Sequence, residues 1–89
     1  MDKEHKRLRA QGRALDPVLH IGKEGVTPGI IAQLDRELEA RRLVKVRLRA
    51  SALPEEPGKQ DRKALARELA DATRSEVIDV VGNVVVLHR

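Results

Sequence analysis

The residues best suited to hold an anion lie between two glycines, Gly22 and Gly25. They are Lys23 and Glu24, and Thr27 completes the pattern G-x-x-G-x-T. Glycine lets a backbone approach a ligand closely and adopt positive φ, and free N–H groups near a helix start favour a negative group. Lys23 would add a positive charge at the tip. The pattern favours phosphate binding, which the carboxylate of Glu24 weakens unless it points aside.

A purely structural role for this loop stays open, because a connection from a strand to a helix often needs a glycine merely to turn. The loop is not a Walker A motif, since the required Gly-Lys-Ser/Thr ending is missing. An exposed lysine at the tip favours the anion-binding interpretation, because a turn alone would need only the glycines.

A second basic segment, residues 41–49 (RRLVKVRLR), contains five basic residues and no acidic one. Within and just after it, the stretch LVKVRLRA alternates, which predicts a half-buried strand. The apolar face would carry Val44, Val46 and Leu48, and the opposite face Lys45, Arg47 and Arg49. A right-handed parallel crossover would place this strand in the same sheet as the strand that ends at Gly22. His20 directly precedes the loop and could contact a phosphate.

The basic strand face also has a plainer interpretation, in which its cations are solvated and protect a sheet edge from aggregation. The overall charge agrees with an anionic partner, since the chain has a formal net charge of +4. It contains no aromatic residue, which excludes a base-stacking sheet of the RRM kind. We therefore expect recognition of phosphate and shape, with pronounced salt dependence and little sequence discrimination.

Other kinds of site find no support in the sequence. Cysteine is absent, so neither a disulfide nor a thiolate metal site can form. His5, His20 and His88 lack metal-ligand spacing, and no serine or threonine has an evident base partner. We expect no catalytic residue, metal, cofactor or small-molecule substrate. Without an apolar run long enough for a membrane span or signal peptide, we expect no membrane partner and a cytoplasmic location.

The elements that must position these residues follow from local signals. Lys3 to Gln11 has helical character, with Gly12 as its stop, and Pro17 to Ile21 is a short apolar strand. Thr27 and Pro28 predict the start of a helix that runs to about Arg42. After the basic strand, SALPEEPGKQ must be a loop.

The last third of the chain is predicted to form a helix and a hairpin. Asp61 could cap a helix that reaches Thr73, with an apolar stripe formed by Leu65, Leu69 and Ala72. Gly82-Asn83 then joins EVIDVV and VVVLHR as an antiparallel hairpin. These nearly continuous apolar runs indicate strands that are covered on both faces or central in the sheet.

The predicted order is therefore α-β-α-β-α-β-β. It gives an α/β (α+β) fold in which three α-helices pack with a four-stranded mixed β-sheet. With 89 residues we expect a single domain over residues 1–89, because two cores could not be built from so little apolar material.

Several stretches resemble the CRM domain family, in particular its small stand-alone bacterial members, the YhbY-like proteins. The similarity runs from about Lys3 to Arg89 and rests on four elements: G-x-x-G-x-T before a long helix, the strand L-V-K-V-R, the helix A-x-E-L-A, and the hairpin V-x-x-V-G-x-x-V-V-L. The resemblance implies a fold related to the C-terminal domain of a bacterial translation initiation factor. It also implies RNA binding aided by the G-x-x-G loop, and association with ribosomal RNA or precursors of the large ribosomal subunit.

The expected function is thus a non-enzymatic RNA-binding protein of ribosome assembly. The expected RNA contacts are Gly22, Lys23, Glu24, Gly25, Thr27, His20, Lys45, Arg47 and Arg49. Three rivals stay open: a DNA-binding architectural protein of similar fold, a protein-interaction module whose basic strand docks an acidic partner, and a nucleotide-handling enzyme that uses the glycine turn.

Overall fold

A computed structural model describes residues 3–89. The helices and strands follow in the predicted order, and the three helices pack with one sheet of four strands, as predicted. Their bounds are α1 Lys3–Arg13, β1 Pro17–Ile21, α2 Pro28–Arg41, β2 Leu43–Leu48, α3 Lys59–Thr73, β3 Glu76–Val81 and β4 Val84–His88, with a short 3-10 turn at Ala50–Ala52.

The strand order β1-β2-β4-β3 brings the chain's tightest turns to one end of the sheet. β1 and β2 are parallel, as the crossover prediction required, and the other pairs are antiparallel. The amide of Arg49 donates to the carbonyl of Ile21 at 2.8 Å, and that of Leu48 donates to Asn83 at 2.7 Å. We call this end, with the Gly22–Gly25 loop, Arg49 and the Gly82–Asn83 turn, the loop end.

Helices cover the two sheet faces unequally. α2 and α3 bury the main core on one face, where Leu34, Leu38 and Leu69 pack against strand residues such as Val46 and Val85. α1 covers part of the other face through a smaller cluster of Leu8, Ile78 and Val86, with Leu43 beside it. The predicted alternation of β2 is confirmed: Val44, Val46 and Leu48 are buried in the main core, while Arg47 on the opposite face is exposed.

The predicted end of α1 at Gly12 is wrong. The helix continues to Arg13, and Gly12 is buried. A Cβ at this position would lie 2.9 Å from Cγ1 of Val86, so glycine is needed for close packing of α1 on the sheet.

The start of α2 agrees with its sequence signals. Oγ1 of Thr27 accepts a hydrogen bond from the amide of Ile30 at 3.2 Å, and Pro28 is the first helical residue. The helix ends at Arg41, whose Nε donates to Glu37 at 2.8 Å.

Two details of α3 differ from prediction. The N-cap is Gly58, and Asp61 lies three residues further on, where its carboxylate accepts from the Gly58 amide at 2.8 Å. Leu69 is buried as predicted, but Ala72 is exposed and Ala66 and Ala70 are buried instead. A helix this rich in alanine carries little information about which side faces the core.

The predicted hairpin around Gly82-Asn83 is confirmed, with Gly82 at φ +55°. β4 is central in the sheet, as its apolar sequence indicated. β3 has an equally apolar sequence but forms an edge, and Val81 near the turn is 63% exposed. β3 is therefore not central, but helices cover both of its faces in part, as the alternative expectation allowed: Val77 and Val80 pack against the main core, and Ile78 packs under α1.

Candidate nucleic-acid interface

The Gly22–Gly25 loop is a closed turn with its two charged residues at the tip. The amide of Gly25 donates to the carbonyl of Gly22 at 2.9 Å. Lys23 and Glu24 are exposed. Val26, directly after the turn, packs against the main core and anchors the loop. The turn is thus held at both sides while its tip remains open to a ligand.

The two glycines have different structural roles. Gly25 has φ +69°, a conformation that favours glycine, whereas the φ of Gly22 is not positive. A Cβ at Gly22 would meet Oγ of Ser51 at 3.7 Å and Cδ of Arg49 at 3.9 Å, which are ordinary contacts. The backbone conformation explains why position 25 is a glycine, whereas folding alone does not explain the glycine at position 22.

The turn offers fewer free amides than the sequence suggested. The amide of Gly25 is used within the turn, while those of Lys23 and Glu24 donate to no carbonyl among residues 3–89. These two tip amides can bind an acceptor such as a phosphate oxygen.

Arg49 lies directly beside this turn, as the parallel crossover predicted. Besides its backbone bond to Ile21, its Nη2 lies 3.3 Å from Nδ1 of His20. A guanidinium can only donate, so Nδ1 of His20 accepts this bond. His20, Gly22 and Arg49 therefore form one group at the loop end.

Arg47 extends this group onto the open sheet face. It is the register partner of His20 on β1 and of Val84 on β4. Arg47 is exposed, and no acidic side chain among residues 3–89 forms an ion pair with it. Its charge is available to a ligand that reaches the loop.

Lys45 and Thr27 already have structural partners. Nζ of Lys45 donates to the carbonyl of Arg13 at 3.4 Å, where a cation favourably meets the C-terminal end of α1. Lys45 also lines a groove of about 320 Å³ between α1 and the hairpin, together with Arg9 and Asp79. The hydroxyl oxygen of Thr27 accepts from the helix, but its O–H can still donate one bond.

Three basic residues at the start of α3 were not among the predicted contacts, namely Lys59, Arg62 and Lys63. Nε of Arg62 donates to Oδ1 of Asn83 at 2.7 Å, which holds the first turns of α3 at the loop end. The signal that could have pointed to them is their spacing of three and four residues, which places them on one side of a helix. Their position beside the hairpin turn depends on β4 lying between β2 and β3, which sequence patterns do not show.

Arg89 at the opposite end of the sheet is paired with acids, whereas Arg42 and Arg74 at the same end form no ion pair within residues 3–89. Arg89 forms ion pairs with Asp35 and Glu39, and its Nη2 also donates to the carbonyl of Thr73. The hydrogen bond to Asp35 raises the pKa of Arg89 further above its usual range, against a smaller opposing effect of desolvation. At the loop end, Arg47 and Lys23 form no ion pair within residues 3–89, so their charges are available to a ligand.

Within the described residues, no group of three or more histidine and acidic side chains is arranged so that it could bind a metal ion. None of the helices formed by residues 3–89 is long and apolar enough to cross a membrane.

A mixed four-stranded sheet with helices on both faces and a glycine turn beside exposed basic residues defines a small α/β protein with a candidate anion-binding loop. The profile of the CRS1 / YhbY (CRM) domain matches residues 1–89. The chain belongs to this family, as the sequence resemblance indicated.

Individual relatives agree with this assignment. The chain is 41% identical over 87 residues to a "Probable RNA-binding protein" of Methanocaldococcus jannaschii, covering 98% of this chain and 61% of that relative. It is 35% identical over 86 residues to a protein of the same description from Pseudomonas aeruginosa, covering 97% and 77%. A Staphylococcus aureus solution structure, described as "a putative RNA binding protein", is similar with a TM-score of 0.81 and 37% identity, covering 98% of this chain and 84% of that one.

Proposed function

We propose that this chain binds RNA without catalysing a reaction, and that it contacts the phosphate backbone at the loop end. The observation that carries this proposal is the parallel pairing of β1 and β2, which brings Arg49 next to Gly22, at the base of the turn whose tip carries the unbonded amides of Lys23 and Glu24. Relatives from an archaeon and a bacterium, each described as a "Probable RNA-binding protein", support RNA as the ligand class.

The geometry supports a division of labour among the proposed contacts. The tip amides and Lys23 bind one phosphate, and Arg49, oriented by His20, binds the same or the next phosphate through its fork of donors. Arg47 follows the backbone onto the sheet face. Gly22 lets the backbone approach closely, and Gly25 supplies the turn that presents the tip.

Lys45 and Thr27 contribute less in this proposal. Lys45 already donates to the end of α1, and Thr27 mainly holds the start of α2. Both side chains lie in segments adjoining the loop end and can add one contact each to an RNA bound there.

The proposed cellular role is assembly of the large ribosomal subunit in the cytoplasm, with ribosomal RNA or its precursor particles as the target. This follows from the similarity to YhbY-like proteins. Sedimentation of a tagged chain with ribosomal particles tests it: the chain should comigrate with large-subunit precursors at low salt and dissociate after a high-salt wash. If the chain comigrates with no ribosomal particle, this role is contradicted, but the proposal of RNA binding is not.

A matched pair of substitutions in the turn tests RNA binding at the loop. Lys23→Glu should weaken binding of a fluorescein-labelled stem–loop RNA by about tenfold, or about 1.4 kcal/mol. Glu24→Lys should strengthen it, because the same tip gains a cation. Both side chains are exposed, so the thermal midpoints should stay near wild type.

If neither substitution changes the affinity measured by fluorescence anisotropy at low salt, the turn serves only to connect β1 and α2. Competition with duplex DNA of the same length distinguishes RNA binding from the alternative of a DNA-binding protein. That alternative predicts that DNA displaces the RNA at equal concentration.

A further inference from the structure

Three basic residues of α3 form a continuous stripe along one side of the helix. Lys59, Lys63 and Arg67 are spaced by four residues, which places them one above another, and all three are exposed. We call them the α3 stripe. Two shallow grooves show that the stripe borders β3. One of about 370 Å³ is lined by Lys59, Lys63 and Val80, and one of about 330 Å³ is lined by Lys63, Arg67, Asp79 and Val80.

The charges of the α3 stripe are not neutralised within residues 3–89. None of its members forms an ion pair there, although Asp71 follows Arg67 by four residues on the same helix. A basic residue that precedes an acidic one by four is the less favourable order for a helical pair. The three adjacent cations form no ion pair within residues 3–89 and outnumber the two nearby carboxylates, Asp71 and Asp79, which favours a polyanionic ligand.

The free edge of β3 is protected against addition of another strand. The β3–β4 register shifts between Val77 and Asp79, and Oδ1 of Asp79 accepts from the amide of Val80 at 3.0 Å. Such an irregularity and the loss of an edge donor disfavour pairing with a peptide strand. The surface therefore fits a nucleic-acid backbone better than a protein segment.

The α3 stripe begins at the loop end. Arg62 holds the first turns of α3 to Asn83, whose carbonyl accepts from Leu48 at the end of β2. Three strand spacings separate β1 from β3, which corresponds to roughly 14 Å across the sheet. One RNA molecule that lies over the loop end can therefore reach both the turn and the stripe.

From these observations we propose that the α3 stripe is a second contact for the RNA phosphate backbone. It continues the binding surface from the loop end along the edge of β3, and this inference rests on the proposed function. Because it contacts phosphates only, it adds affinity and salt dependence without adding sequence preference.

The double substitution Lys59→Gln with Lys63→Gln tests this proposal with the same stem–loop RNA. Each lost phosphate contact lowers the slope of log K against log salt by roughly 0.7 to 0.9. The double variant should therefore lower that slope by about 1.5 and weaken binding about tenfold at low salt. The matched control, Arg36→Gln with Arg42→Gln, removes two exposed charges without an ion-pair partner among residues 3–89 from α2 and its C-cap and should keep the wild-type slope.

The outcomes separate this proposal from the proposed function. If the wild-type protein fails to bind the RNA, both the proposed function and the α3 stripe proposal are overturned. If the wild type binds and Lys23→Glu weakens it, while the double variant keeps the wild-type slope and its thermal midpoint, only the α3 stripe proposal is overturned. Tighter binding of poly-glutamate than of RNA, abolished by the double variant, would assign the stripe to an acidic protein partner and also overturn it.

Discussion

Gly22 and Gly25 occupy matching places in the G-x-x-G pattern, but the backbone needs only one of them. Gly25 has φ +69°, whereas Gly22 has a conformation open to other residues and space for a Cβ. A glycine that folding does not require, placed next to Arg49, is available for close approach of a ligand. The same substitution, glycine to alanine, should therefore have different effects at the two positions.

Gly22→Ala should leave folding intact and reduce RNA affinity several-fold, because the added methyl group lies between the ligand and the backbone. Its stability should equal wild type or rise by about 0.5 kcal/mol, as expected where alanine fits the native backbone. Gly25→Ala should instead lose about 1 kcal/mol through its left-handed conformation. Thermal unfolding and anisotropy titration of both variants measure this. Unchanged affinity for Gly22→Ala would remove Gly22 from the site.

Local sequence signals correctly predicted the features of helices and strands that depend on residues close in sequence. Thr27-Pro28 fixed the start of α2, and the alternation of β2 fixed which face carries Arg47, because both follow from residues close in sequence. Gly12 was interpreted as a helix stop because its partner, Val86, lies at the other end of the chain. The edge position of β3 likewise depends on strand order, which its apolar sequence does not encode.

Gly12→Ala tests the packing of α1 on the sheet. Alanine improves helix propensity by up to about 1 kcal/mol, but its Cβ would meet the stiff, buried side chain of Val86. Overpacking of this kind costs about 1 to 3 kcal/mol, so we expect a net loss of about 1 kcal/mol and a midpoint lower by roughly 4 to 8 °C.

Gly29→Ala is the control for Gly12→Ala, since Gly29 is an exposed helical residue whose Cβ would have ordinary contact only. It should stabilise the protein slightly. Combining Gly12→Ala with Val86→Ala should cost less than the sum of the two single changes, because the smaller side chain leaves room for the added methyl. Additive losses, or a stabilised Gly12→Ala, would show that α1 does not pack as tightly as described.

Over the whole molecule, the arrangement of charge matters more than its amount. Away from the loop end, acidic partners neutralise Arg41 and Arg89, although Arg42 and Arg74 form no ion pair within residues 3–89. The turn, Arg47 and the α3 stripe have no such partners among residues 3–89. Strand pairing brings these segments together, so the sequence predicted the basic turn and the basic face of β2 but not the position of the α3 stripe beside the hairpin turn.

This polarity predicts that reversing one charge has different effects at different places. Arg47→Glu and Arg36→Glu lower the formal net charge of +4 equally, and both side chains are exposed. Arg47→Glu should weaken binding of the stem–loop RNA by about tenfold and lower its salt slope by about 0.8, as expected for one lost phosphate contact. Arg36→Glu, on the solvent side of α2, should change affinity less than about twofold, since exposed charges far from the ligand are largely screened at physiological salt. Titrations at several salt concentrations measure both quantities. Equal losses for the two variants would mean that RNA responds to net charge alone, and the loop end would then have no special part in binding.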